Sequence, residues 1–294
     1  MRPPLVLPTV LLAAAIALPA AQATPFFFST GNPDGKIGTA SQPSGTGVTE
    51  IESADDFVTT SPTTLITSGT FTGLFVGATL QDVTSIDVEI YRVFPTDSDV
   101  GRTSGPPTFS TAQVPTRVNS PADVAFDSRD STGGTLTFTC MALSDSFTVN
   151  NSIISGINPM PNQTTGGDGP ATGQEVECDV TFTTPFSLPA DHYFFVPQVA
   201  LSGANSDFLW LSAPRPIVAP GTPFPAGFTD LQSWIRDANL DPDWLRVGTD
   251  IVGAGAFNAA FSLNGTTVPE PATLALLGVG LVGLGFARRR NRSR

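Results

Sequence analysis

Two cysteines and one histidine carry the most reactive side chains of this 294-residue chain. Cys140 and Cys178 each occupy the apolar phase of an alternating segment, so both are predicted to point into a core. If the chain is exported, such a pair favours a disulfide that closes a loop of about 39 residues. The alternative is two buried thiols on strands that are not neighbours. His192 would be the base of any Ser-His-Asp or Cys-His mechanism, but no Gly-x-Ser-x-Gly elbow accompanies it. It is therefore interpreted as an ordinary surface or rim histidine.

A run of oxygen side chains at alternate positions resembles the start of a calcium-binding loop. The run consists of Asp237, Asn239, Asp241 and Asp243. The full EF-hand pattern is missing, because Pro242 stands where that pattern has Gly and Gly248 where it has Glu. We expect a solvated acidic turn, with weak Ca²⁺ binding as the alternative. No other cofactor is predicted, since two isolated cysteines and one histidine do not assemble a tetrahedral metal site.

Carboxylates and tryptophans leave carbohydrate chemistry open. Glycosidases need two carboxylates about 5 to 10 Å apart, and the chain has 26 acidic residues. Three tryptophans could stack on sugar rings, although in a β-sandwich they more often anchor the core. The acidic groups noted are Glu50, Glu52, Asp55 and Asp56, and the tryptophans are Trp210, Trp234 and Trp244. The sequence predicts no catalytic residue.

The elements that would position these side chains are mostly strands. Alternation of apolar and polar residues marks segments 85–90, 135–140, 175–182 and 257–263, with further candidates at 71–76, 192–201 and 208–211. The pattern predicts an all-β, antiparallel β-sandwich of jelly-roll type over residues 24–267. One short helix is predicted at 229–239, where a capping box of Thr229 and Gln232 accompanies apolar residues at helical spacing. Long loops are predicted at 95–121 and 155–174.

Composition excludes several classes of protein. The formal net charge of −12 excludes the basic surface of a nucleic-acid binder. Residues 24–268 hold 25 acidic and eight basic residues, so their formal net charge is −17. Such a domain is soluble, is repelled by anionic lipid and attracts cations.

The N-terminal residues 1–23 are typical of a secretory signal peptide. Arg2 precedes an apolar run, and the small residues Ala21 and Ala23 form a cleavage site. Cleavage after Ala23 would start the mature chain at Thr24.

The C-terminal residues 268–294 combine three elements in a fixed order. Pro269, Glu270 and Pro271 precede sixteen uncharged residues, 272–287, which predict a transmembrane helix. An arginine cluster follows, namely Arg288, Arg289, Arg290, Arg292 and Arg294, and it predicts a cytoplasmic end.

This order resembles the PEP-CTERM sorting signal of Gram-negative bacteria. The resemblance implies processing by an exosortase-type membrane protease, after export by the secretion machinery and a transient stage anchored in the inner membrane. It further implies delivery to the cell surface or the exopolysaccharide matrix. Segments 50–57 and 88–95 are similar to other exported PEP-CTERM proteins of unassigned activity, a likeness that carries no functional residue.

We expect a non-enzymatic surface or matrix protein associated with exopolysaccharide, with no nucleic-acid partner. The alternatives are a secreted, carboxylate-dependent polysaccharide hydrolase and a Ca²⁺-dependent carbohydrate-binding module.

Overall fold

The computed structural model describes residues 22–45, 48–98, 118–154, 166–203, 205–237, 244–253 and 255–268. In these ranges the chain is almost entirely β, which confirms the predicted fold class. The strands are β1 (Thr24–Ser29), β2 (Ile37–Ala40), β3 (Ile51–Thr59), β4 (Thr63–Val76), β5 (Val83–Arg92), β6 (Asp127–Asp130), β7 (Leu136–Ile153), β8 (Gly169–Leu188), β9 (Asp191–Leu201), β10 (Asp207–Ala213), β11 (Trp234–Asp237), β12 (Leu245–Arg246), β13 (Asn258–Ala259) and β14 (Phe261–Val268).

The strands form two sheets. The larger has the order β1-β14-β4-β8-β7-β2-β10-β13, and the smaller has the order β12-β11-β3-β9-β5-β6. The pairs are antiparallel except β2 with β7, which run parallel. This parallel pair departs from the purely antiparallel sandwich that alternation predicts, since period 2 fixes which face is buried but not the direction of the partner.

Part of the larger sheet closes on itself. β4 pairs with β8 along most of its length, and its last residues also pair with β10. The pairings β4-β8-β7-β2-β10-β4 thus complete a ring of five strands. Gly73 permits the closure, because a Cβ there would lie 2.0 Å from the ring of Phe208.

The main core lies between the two sheets. On β5, Ile86, Val88 and Ile90 are buried, while the residues between them are more exposed. Strand β9 differs, because residues 193–199 are all buried and both of its faces are covered. It runs between β3 and β5 in the centre of the smaller sheet, and such a strand gives a continuous apolar run rather than alternation.

The helix predicted at 229–239 is wrong over its described part. Residues 229–233 have no regular structure, and Trp234 begins β11, which pairs with Ala54 and its neighbours in β3. Trp234 and the adjacent Ile235 are both buried, but in different apolar clusters. Burial on opposite sides of a strand therefore produced the spacing that resembles a helix. The described helical residues are a 3₁₀ turn at Leu80–Asp82 and a π-helical turn at Val247–Val252.

The predicted loop at 155–174 is shorter than expected at its C-terminal end, because β8 already begins at Gly169. Residues 155–165, and residues 99–117 of the other predicted loop, lie outside the described ranges.

The first and last strands are neighbours. β1 pairs with β14 in antiparallel register from Thr24 opposite Thr267 to Ser29 opposite Ser262. The hydroxyl oxygens of Thr24 and Thr267 are 2.6 Å apart. Both ends of the described sandwich therefore meet at one edge of the larger sheet.

Candidate functional site

A cluster of acidic residues lies on the smaller sheet, on the face that carries the polar residues of β5. Glu52 belongs to β3 and Glu89 to β5, while Glu50 immediately precedes β3. Side-chain oxygens of these three residues lie within 4.8 Å of one another. Alternation explains their common direction, because residues two apart on a strand share a face.

Arg236 on β11 compensates the charge of Glu52, which is only 1% exposed. Its guanidinium forms an ion pair with Glu52 and donates a hydrogen bond to the hydroxyl of Tyr91 at 2.9 Å. The same guanidinium lies 4.7 Å from the centre of the Trp244 ring. Arg236 is therefore expected to be necessary for stability, because its removal would leave a buried carboxylate without a counterion.

A single phenolic hydroxyl, that of Tyr91, serves two carboxyl groups. The Tyr91 hydroxyl is 2.6 Å from Glu52 Oε1 and 2.9 Å from Glu89 Oε2. A hydroxyl has one proton to donate. It can donate to only one of the two at a time, so the contact with the other requires a proton on that carboxyl group.

The pKa values favour Glu89 as the group that carries this proton. Burial raises the pKa of Glu89 to about 8, with a further contribution from the charge of Glu52. Burial, Asp130 and Glu50 raise the pKa of Asp87 to about 6. Glu89 and the neighbouring Asp87 therefore bind protons near neutral pH. Oxygen ligands at this separation are of the type that hard cations prefer, but Arg236 and a proton on Glu89 already offset much of their charge.

A second polar group lies at β3 and the segment that precedes β11. Asp56 is 1% exposed, lies 2.6 Å from Nε2 of His192, and accepts a hydrogen bond from the Leu231 amide. The neighbouring Asp55 is fully buried and accepts a hydrogen bond from the Ala259 amide. Burial raises the pKa of both carboxyl groups, and the His192 contact partly offsets this for Asp56.

His192 is consequently not the simple rim histidine that the sequence suggests. Its side chain is 14% exposed, and its ring is 5.8 Å from the ring of Phe224 and 5.9 Å from that of Phe228. The Nε2 atom contacts a carboxylate rather than a nucleophile, so the pair fastens residues 224–231 to the sheet.

A cavity of about 820 Å³ is lined mainly by residues 42–51 and by residues 199–208 at the end of β9 and the start of β10. Its lining residues include the apolar Ile51, Val199 and Phe208 and two carboxylates, Asp207 and Asp237. Burial and the charge of Asp168 raise the pKa of Asp207. The described lining contains polar side chains from several turns and neither lysine nor arginine, so its chemistry suits neutral or cationic ligands.

The disulfide prediction is confirmed. Cys140 on β7 and Cys178 on β8 are directly paired, with Cα atoms 4.1 Å apart and the sulfurs bonded. Both cysteines are therefore held as structural residues and neither offers a thiolate.

The favoured interpretation of the tryptophans, as core anchors, is confirmed, and the alternative of a sugar-stacking platform is wrong. The exposed fractions of Trp210, Trp234 and Trp244 are 0%, 1% and 2%, so none of the three rings can stack on a sugar. Trp210 and Trp244 donate their indole N–H groups to the backbone oxygens of Ala260 and Ala122. They act as core anchors, which was the favoured interpretation.

The chain continues beyond the last strand into the segment of prolines, apolar residues and arginines. Residues 267–290 match the PEP-CTERM protein-sorting motif. The match begins at Thr267, within β14, and includes Pro269, Glu270, Pro271, Arg288, Arg289 and Arg290. The PEP-CTERM motif implies export, a membrane-anchored stage and processing by exosortase-type machinery. Comparison with curated proteins and with solved structures finds no match for the chain.

Several predicted residues lie outside the described ranges. These are residues 1–21 of the signal peptide with Ala21, the calcium candidates Asn239, Asp241 and Asp243, and the PEP-CTERM residues 269–294 with the predicted transmembrane helix at 272–287. Asp237 is described as the last residue of β11, half-buried and opposite Ile51. Ala23 is exposed and directly precedes β1. Within the described residues, no helix is long and apolar enough to cross a membrane.

Sequence reasoning missed Tyr91, Arg236 and the pairing of Asp56 with His192. The polar phase of β5 indicates that Glu89 and Tyr91 share a face, but Arg236 and His192 come from strands far from β3 in the chain. Glu52 and Asp56 were noted only as members of acidic groups, and no sequence signal indicates that both are buried.

Proposed function

We propose that the mature chain is a non-enzymatic protein of the cell surface or the exopolysaccharide matrix, delivered by the PEP-CTERM sorting route. The observation that carries this proposal is the sorting motif, which begins in the last strand of a disulfide-bonded β-sandwich. A disulfide fits an oxidising destination outside the cytoplasm. The net charge of −17 on residues 24–268 fits a soluble protein that leaves an anionic membrane surface once its tail is removed.

Two further findings support a structural rather than a catalytic role. The cysteines are bonded to each other, and the single histidine is engaged with a buried aspartate. The side chains with the best nucleophilic or basic character are thus committed to holding the fold together.

Carbohydrate contact is the second candidate activity, and the cavity favours it. Two carboxylates in a concave lining whose described residues include no lysine or arginine match the hydroxyl donors of uncharged saccharides. Binding and hydrolysis by this cavity are distinguished by one pair of variants, Asp207→Asn and Asp237→Asn. A binding module does not depolymerise the saccharide, with or without either substitution. A carboxylate-dependent hydrolase depolymerises it as the unmodified chain and loses this activity when either acid is replaced.

The sorting proposal is tested by intact-mass analysis of protein from a host that contains the exosortase-type protease. We expect an N-terminus at Thr24, a C-terminus near Pro269 and recovery in the surface or matrix fraction. From a matched host without the protease, the protein should be recovered in the membrane fraction with its tail still attached. Recovery of the full-length mass, with both terminal segments present, would contradict the proposal.

A further inference from the structure

We infer that residues 265–268, called here the terminal segment, belong to the substrate of the enzyme that removes the sorting tail and must leave the sheet before cleavage. This inference rests on the proposed function and adds a step to it. The terminal segment is the last part of β14 and pairs with β1 on one side and β4 on the other.

The first argument concerns length. Only residues 269–271 separate Val268, the last residue of β14, from the uncharged run that begins at Ala272. Three extended residues span roughly 10 Å. Cleavage of a folded protein generally proceeds through local opening, because the backbone must be free of its sheet partners to enter a protease. So short a connection cannot both enter a membrane-embedded active site and leave β14 fully paired.

The second argument concerns where β14 can open. The register of β14 with β4 shifts between Asn264 and Gly265, because Thr67 on β4 has no partner there. Beyond this bulge no residue of the terminal segment is buried, and Val268 is 39% exposed. Before it, Leu263 is 0% exposed. Opening up to the bulge exposes little apolar surface, whereas opening past it would expose the core.

The third argument concerns β1, which holds the terminal segment in place. Thr24 lies opposite Thr267, and their hydroxyl oxygens are 2.6 Å apart. Thr24 is the first residue after the predicted signal cleavage site. Removal of the signal peptide therefore leaves Thr24 as the first residue of β1, the strand that pairs with the terminal segment. Release of the tail then requires that this pairing is broken.

A pair of engineered disulfides tests the inference in the full-length chain. Thr30 N donates to Phe261 O, so hydrogen-bonded pairs alternate from that position along β1. The exposed pairs Pro25–Thr266 and Phe27–Asn264 are then both of the non-hydrogen-bonded kind, whose Cα separation of about 4.5 Å suits a disulfide. P25C/T266C links β1 to the terminal segment, and F27C/N264C links the same strands on the other side of the bulge.

We expect P25C/T266C to retain its tail in the membrane fraction, with the tail-free product reduced about tenfold or more because the link prevents local opening. F27C/N264C and the single variants P25C and T266C should be processed like the unmodified chain. Peptide mapping confirms that each link, and the Cys140–Cys178 disulfide, has formed. Normal processing of linked P25C/T266C would overturn this inference and leave the proposed function intact. Retention of the tail by the unmodified chain would overturn the proposed function and this inference with it.

Discussion

Replacement of Glu89 by glutamine should remove much of the dependence of stability on pH. Glu89 has a pKa of about 8 in the folded protein, against an ordinary value of 4.5, because it is buried and faces Glu52. The folded state therefore binds more protons than the unfolded state over this interval. The contribution of Glu89 to the free energy of unfolding is fully present below pH 4.5, and it is lost as the pH rises through the pKa of the folded state. Glutamine copies the protonated carboxyl group, since its amide can donate to the Tyr91 oxygen.

The size of the effect follows from the two pKa values. Linkage gives a loss of about 2.5 kcal/mol in the free energy of unfolding between about pH 5 and about pH 7 for this group. The full loss above pH 8 is on the order of 5 kcal/mol, at about 1.4 kcal/mol per pKa unit. Asp87, whose pKa rises to about 6 by burial, adds a loss of the same sign in both proteins. The difference between wild type and Glu89→Gln therefore isolates Glu89.

Urea unfolding followed by tryptophan fluorescence at several pH values measures this difference. The curves of wild type and Glu89→Gln should approach each other near pH 5 and separate as the pH rises, with the variant more stable. Glu177→Gln on β8 is the matched control, because burial and Asp179 also raise the pKa of Glu177 but its carboxyl group is much less buried than that of Glu89. Its curve should stay near that of wild type. Parallel curves for wild type and Glu89→Gln would refute the assignment of a proton to Glu89.

Three other changes give direct checks. C140S/C178S should lower the free energy of unfolding by about 4 kcal/mol in the chain-entropy model for a separation of 38 residues, as measured by urea unfolding; a loss below about 1 kcal/mol would contradict it. Asp56→Asn should cost about 1 to 3 kcal/mol by weakening the contact with His192, and limited proteolysis should then cut earlier within residues 214–233; an unchanged digestion pattern speaks against the contact. Serine at positions 288–290 should leave soluble, tail-bearing protein in the periplasm, seen by fractionation and mass, whereas normal surface delivery would show that the arginines are not needed to anchor the tail.

The local properties of the chain were determined by its sequence. Alternation on β5, β7 and β8 predicted strands, buried faces and the inward phase of Cys178, because side chains of an extended backbone point to opposite faces in turn. The PEP-CTERM motif was equally readable, since it depends on residue types in a fixed linear order. The candidate disulfide followed from the phase of the two cysteines together with the predicted export.

Long-range pairing was decided only by the tertiary structure. Trp234 and Ile235 match a helix locally, but pairing with β3 and burial on both sides make them a strand. Glu52 and Asp56 carry charge, and no local sequence signal indicates that they are buried. They are buried because β9 and β11 pair with β3 on either side. His192 lies on β9 and contacts Asp56, and Arg236 lies on β11 and pairs with Glu52. Burial of a carboxylate depends on a partner from elsewhere in the chain, and the positions of such partners are fixed only when the sheets assemble.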